Sequence, residues 1–101
     1  MKIDIKNTGL SASVVCIEHG YKTATTLSPE QSLELEIELD TPVIIRGYTE
    51  ASNNVVIENK SKLLAEIERG TSPVIALKAG KTIELEVDLM SSIIVREQAA
   101  A

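Results

Sequence analysis

From residue 32 to 39 the chain alternates polar and apolar residues without a break, Ser-Leu-Glu-Leu-Glu-Ile-Glu-Leu. Fifty positions later, over 82–89, it does so again as Thr-Ile-Glu-Leu-Glu-Val-Asp-Leu. A period of two puts successive side chains on opposite faces of an extended backbone, so each stretch predicts a half-buried antiparallel strand with one dry and one wet face. The similarity extends beyond these strands. Laid over itself at an offset of fifty, 17–46 against 67–96, the chain matches at ten of thirty ungapped positions, where composition predicts roughly two or three. The identities are Ile17/Ile67, Glu18/Glu68, Gly20/Gly70, Leu27/Leu77, Glu34/Glu84, Leu35/Leu85, Glu36/Glu86, Leu39/Leu89, Ile44/Ile94 and Arg46/Arg96. The expectation is a single all-β domain over 1–98, an antiparallel β-sandwich of jelly-roll-like or Ig-like style. Two pseudo-repeated units, 1–50 and 51–98, would form it, and 99–101 would be a short tail.

Turn signals agree. Gly20 and Gly70 close earlier strands, Ser28-Pro29-Glu30 and Lys78-Ala79-Gly80 precede the alternating stretches, and 43–46 and 93–96 follow as short strands. With 3–6, 13–18 and 55–58 added, eight to ten short strands are expected. Residues 61–69 read differently: Ser61 as an N-cap, then good helix formers, then Gly70. The counterpart 13–18 is β-branched and reads as strand. The repeat favours strand for both, with a short helix at 61–69 as the alternative.

If 32–39 and 43–46 form a hairpin around 40–42, Glu36 faces Arg46, and in the second unit Glu86 faces Arg96, as outward ion pairs. Ile44 and Ile94 then fall on the wet face, where a polar residue would be ordinary. These two isoleucines, with Arg46, Arg96, Tyr48, Glu36 and Glu86, are the candidate contact residues.

Composition limits the uses of such a domain. The chain has no Phe or Trp and only two tyrosines, so the stacking platforms of sugar-binding and single-strand nucleic-acid folds are missing. Net charge is −5, with Lys and Arg scattered, so nucleic acid is not an expected partner. No signal core or long uncharged span is present, and no membrane association is expected. A lone cysteine, Cys16, accords with a reducing compartment and has no neighbours that would activate it. The location expected is cytoplasmic, or within a virion or other assembly. Asn59-Lys60-Ser61 fits a glycosylation acceptor and is read as incidental.

No catalytic, cofactor or metal site is expected. Only His19 could serve as a histidine base, and it sits at a turn whose counterpart is Arg69. Ala79-Gly80-Lys81-Thr82 resembles the end of a phosphate loop but lacks the glycine five positions earlier, where Ile75 stands. The stripes Glu34/Glu36/Glu38 and Glu84/Glu86/Asp88 read as solvated faces rather than a calcium site or a carboxylate pair for hydrolysis. Strands bearing them should not be immediate neighbours unless a cation lies between. Two functions follow. One is a non-catalytic interaction or structural module, with a protein partner or as a homo-oligomer, for example an accessory subunit that decorates a viral capsid. The alternative is sequestration of a small metabolite or nucleotide, with Arg46, Arg96, Lys22 and Lys78 as anion contacts.

Overall fold

The computed structural model describes residues 1–20, 23–38, 40–49 and 53–98. These residues are all-β and contain no helix. Ten strands run in chain order: β1 (Lys2–Asn7), β2 (Val15–His19), β3 (Thr25–Leu27), β4 (Ser32–Glu36), β5 (Val43–Gly47), β6 (Asn53–Asn59), β7 (Ala65–Arg69), β8 (Ile75–Leu77), β9 (Thr82–Val87) and β10 (Ile93–Glu97). They form two antiparallel sheets in a sandwich-like arrangement. One is four-stranded, ordered β4-β1-β6-β9, and the other six-stranded, ordered β3-β2-β5-β10-β7-β8.

The core lies between the sheets and is almost wholly aliphatic. Alternate residues supply it: Ile3 and Ile5 from β1, Ile17 from β2, Val43 and Ile45 from β5, Val55 and Ile57 from β6, Ile67 from β7, Ile93 and Val95 from β10. β-branched side chains have few χ1 options to lose and pack well on pleated surfaces, which is how a chain without Phe or Trp fills this space. Leu33, Leu35, Ile83 and Leu85 of the edge strands β4 and β9 pack against it from the margins.

Two buried asparagines end the central strands of the smaller sheet. Asn7 Nδ2 donates to the Leu27 carbonyl at 2.9 Å, and its Oδ1 accepts from Gly9 N at 2.9 Å and Ser13 Oγ at 3.2 Å. Asn59 Nδ2 donates to the Leu77 and Leu63 carbonyls at 2.9 and 2.8 Å, and its Oδ1 accepts from Ser61 N and Oγ at 3.0 and 2.7 Å. Each ties a strand of one sheet to a segment bound for the other, since Leu27 and Leu77 close β3 and β8. The Asn59 amide is fully buried and committed to these bonds, so the Asn59-Lys60-Ser61 acceptor is inaccessible in the folded chain.

Residues 65–69 are strand, the reading the matched positions favoured over a short helix: Ala65 and Ile67 alternate into the core, Ser61 bonds to Asn59 instead of capping a helix, and Gly70 takes φ +57° in a turn. Tertiary burial at period two overrides the local helix propensity. Residues 32–39 and 43–46 do not pair as a hairpin. β4 pairs with β1, whereas β5 pairs with β2 and β10, and only an isolated bridge, Glu38 to Thr41, joins the two segments. Alternation dictates which face a residue takes, not which strand lies beside it, and both segments satisfy their dry faces against the same core from opposite sheets. Glu36 and Glu86 therefore do not face Arg46 and Arg96.

The acidic stripes lie on β4 and β9, the two edges of the smaller sheet, with β1 and β6 between them. Charged edges discourage edge-to-edge pairing with other chains. Glu34, Asp4 and Glu58 are in register across β4, β1 and β6. Cations offset that repulsion: Lys60 lies 3.2 Å and Lys2 3.9 Å from Glu34. The hydrogen bond and charge of Glu34, with Asp4 and Glu58 adding to it, hold the Lys60 ammonium above its ordinary pKa.

Candidate interaction face

The outer face of the six-stranded sheet gathers most of the candidate residues. β5 and β10 are central neighbours, and their register places Ile44 directly opposite Ile94. β2 sets Glu18 opposite Ile44 on one side, and β7 sets Glu68 opposite Ile94 on the other. A row of four residues, Glu18-Ile44-Ile94-Glu68, thus crosses the middle of the sheet. Val43, Ile45, Ile93 and Val95 point inward and are fully buried, which forces Ile44 and Ile94 outward, where both are half-buried.

Arginines flank this row on either side. Arg46 pairs with Glu18, and Arg96 pairs with Glu68 while its Nε lies 3.7 Å from Glu66. The ion pairs recur at matched positions, but their partners are Glu18 and Glu68 rather than Glu36 and Glu86. Those two carboxylates belong to the other sheet. Glu36 Oε1 accepts from the terminal amine of Met1 at 3.2 Å, and the Glu86 carbonyl accepts from Arg69 at 3.2 Å. Glu18/Glu68 and Arg46/Arg96 are all identities at the offset of fifty, so the correct pairing was present in the repeat and was obscured by the assumption that consecutive strands are neighbours.

Tyr48 follows β5, is 64% exposed, and its backbone N donates to the Val14 carbonyl at 2.8 Å. Cys16 occupies an outward position opposite Arg46 and Thr26 yet is only 8% exposed. β3 and β5 flank it, and the Arg46 side chain runs along β2 to reach Glu18. His19 ends β2 opposite Val43 and is half-buried rather than at a solvated turn. Lys78 is exposed just after β8, and Lys22 lies outside the described residues.

Two open clefts adjoin the sandwich. One, of about 290 Å³, is lined by Glu18, Gly20, Asp40, Thr41, Pro42 and Ile44. The other, of about 230 Å³, is lined by Arg69, Glu86, Asp88 and Ser91. Asp88 Oδ1 accepts from Ser91 Oγ at 3.0 Å, Ser91 N at 2.8 Å and Met90 N at 2.9 Å. Those bonds, the Ser91 hydroxyl first, hold its carboxyl below the usual carboxylate pKa, and the nearby Arg69 charge adds to the effect. Among the described residues no cluster of His, Cys, Asp and Glu has the arrangement of a metal site, and no helix is long and apolar enough to cross a membrane. Comparison of the chain with protein-family models, curated proteins and solved structures gives no match.

Proposed function

We propose that this chain is a non-catalytic interaction module, an accessory subunit of a larger assembly, of which a protein decorating a viral capsid is the model case. The observation that carries the reading is the row Glu18-Ile44-Ile94-Glu68. Two apolar side chains stand at the centre of a sheet face and are ringed by Arg46, Arg96 and their carboxylates. An apolar centre with a polar, arginine-containing rim is the anatomy of a protein contact surface. On the opposite face of the sandwich the one outward apolar residue of the described strands, Val56, stands alone between Lys6 and Glu84.

We also propose that the domain is a duplicated sandwich. The matched bonds of Asn7 and Asn59 support this. So does the strand order, in which β4-β1 mirrors β9-β6 and β3-β2-β5 mirrors β8-β7-β10. Duplication puts a pseudo-two-fold axis between Ile44 and Ile94, so the face would present the same pattern twice.

The test is capture from the native source with wild-type protein and an Ile44→Lys/Ile94→Lys variant. The reading expects a stoichiometric partner or assembly held by the wild type and lost by the variant, with unchanged circular dichroism. Equal retention by both would remove the face from consideration. The second reading, small-ligand binding, rests on the 290 Å³ cleft beside Ile44. Among the described residues its lining contains Glu18 and Asp40 as charged groups, which favours a neutral or cationic ligand. Such a ligand would raise the melting temperature, because it binds only the folded chain.

A further inference from the structure

Lysine is distributed unevenly over this fold. Four of the seven lysines, Lys60, Lys62, Lys78 and Lys81, fall in two turns, and in a chain of net charge −5 the segments 59–65 and 75–83 contain no Asp or Glu. Asn59 holds the two turns together. Its N donates to Lys81 O at 3.0 Å, its carbonyl accepts from Gly80 N at 2.8 Å, and its Nδ2 donates to Leu63 O at 2.8 Å and Leu77 O at 2.9 Å. Glu34 engages Lys60 at 3.2 Å, but Lys62, Lys78 and Lys81 are exposed and have no ion-pair partner among the described residues. Leu63, 49% exposed, and Leu64, 40% exposed, follow Lys62 directly. Of the carboxylates that border the two segments, Glu66 is paired with Arg96, and Glu58 and Glu84 stand on the outer face of the smaller sheet.

The fold does not require this charge. The matched turn 28–31 closes with the same bonds: Gln31 N donates to Ser28 O at 3.0 Å, Glu30 N to Asn7 O at 2.8 Å and Asn7 N to Gln31 O at 3.0 Å, as Lys81 N does to Lys78 O at 3.1 Å and as Gly80 and Asn59 do above. Ser28 and Gln31 stand fifty positions before Lys78 and Lys81, so the lysines are added to a turn that forms without them.

We propose that these two turns dock an acidic segment of a partner protein, its carboxylates meeting Lys62, Lys78 and Lys81 and an aliphatic side chain meeting Leu63 and Leu64. Charge complementarity selects this occupant. The rest of the chain is strongly acidic, but its field is screened beyond about 8 Å at physiological salt, so a compact acidic segment feels the lysines first. A flat anionic membrane fits less well. The same end carries Glu38, Asp40 and Glu97, because Ile37 N bonds to Met1 O, Lys60 N to Lys2 O and Gln98 N to Leu64 O, and a plane laid across it would meet those carboxylates too. Nucleic acid fits less well because neither turn holds an aromatic ring on which a base could stack. This surface is separate from the Ile44–Ile94 face, so the two proposals fail independently.

The test is titration of the isotope-labelled full chain with the synthetic peptide Asp-Glu-Leu-Asp-Glu-Leu-Asp-Glu, followed by amide shifts. Saturable shifts should cluster in 60–64 and 77–81, weaken as NaCl rises from about 50 to about 500 mM, and persist in Ile44→Lys/Ile94→Lys. Affinity should fall at least about tenfold in Lys62→Glu/Lys78→Glu/Lys81→Glu. Lys78→Ser/Lys81→Gln, which installs the residues of the matched turn, should also weaken binding and still applies if the charge reversal misfolds. Absence of saturable shifts, shifts centred elsewhere, or variants that bind like wild type would each overturn the proposal. So would tighter binding to phosphatidylserine vesicles or to a single-stranded DNA oligonucleotide, or shifts at 60–64 that follow protein concentration without peptide, which would assign the surface to a second copy.

Discussion

Replacing Asn59 by alanine removes two donors and an acceptor from a site that water reaches poorly. The Leu77 carbonyl loses its 2.9 Å partner in a buried setting, the Leu63 carbonyl its 2.8 Å partner in a part-buried one, and Ser61 both of its bonds to Oδ1. A buried carbonyl left unpaired costs about 1–3 kcal/mol and a part-buried bond about 1 kcal/mol or less, so the expected loss is about 2–4 kcal/mol. That is a large fraction of the stability of a domain this size and lowers the melting temperature by roughly 10–25 °C. Asn59→Asp separates the donor contribution from shape, because one oxygen still accepts from Ser61 while the other now faces two carbonyl oxygens. Burial and those carbonyls disfavour the carboxylate, so its folded-state pKa lies above the unfolded value of about 3.9. The ionisation part of the penalty is therefore absent below the unfolded pKa and grows as pH rises toward and through the folded one, on top of the one donor lost at every pH. Urea unfolding followed by far-UV circular dichroism measures both variants, which suits a chain without tryptophan. N59A within about 0.5 kcal/mol of wild type, or an N59D whose gap to wild type does not widen from acid to neutral pH, would refute this account of the asparagine.

Gly47→Ala places a Cβ 2.8 Å from Asn53 Nδ2 and 3.0 Å from the Asp88 backbone carbon. Because backbone on the facing segment cannot yield as a side chain tip can, urea unfolding should show a loss of about 1–3 kcal/mol. Gly70→Ala meets nothing within 4 Å and should cost only the strain of φ +57°, about 1 kcal/mol. Asp88→Ala should lower the melting temperature at neutral pH. The depressed folded-state pKa of Asp88 means its contribution is present above the unfolded pKa and is lost as pH falls through the folded value, so the gap between wild type and D88A should close in acid. A gap that persists unchanged at low pH would show that the carboxylate's charge is not what organises the 88–91 turn.

The fold class was legible because alternation is a backbone property: a period of two survives whatever lies next to the strand, and Ile3, Ile5, Val55 and Ile57 are buried as their parity requires. Pairing was not legible, because partner choice depends on how the 37–42 segment carries the chain from one sheet to the other, and nothing local encodes that. Reading β4 against β5 placed Arg46 beside Glu36, although Glu18, equally repeated, was available. The buried asparagines were missed for a different reason. Ile3-Ile5-Asn7 and Val55-Ile57-Asn59 each end an inward series on a polar residue, which is the visible sign, but Asn7 and Asn59 are 52 positions apart and fall outside an offset of fifty. The shorter 60–64 loop in place of 8–14 accounts for the slip. At 61–69 strand was favoured over helix; Ser61 and Gly70 suit a turn as readily as a helix end, and burial of Ala65 and Ile67 decides for strand.

The face proposed for binding depends on Ile44 lying directly across from Ile94 in the β5–β10 pair. Opposed residues in an antiparallel pair have Cα atoms about 4.5–5.5 Å apart, within the range that a disulfide spans. Ile44→Cys/Ile94→Cys, in a background where Cys16 is replaced by alanine, should therefore oxidise to a monomer with one intramolecular disulfide, seen by mass after thiol alkylation and tryptic mapping. Free thiols under the same oxidation, or bonds formed only between chains, would contradict the β5–β10 pairing and the surface built on it.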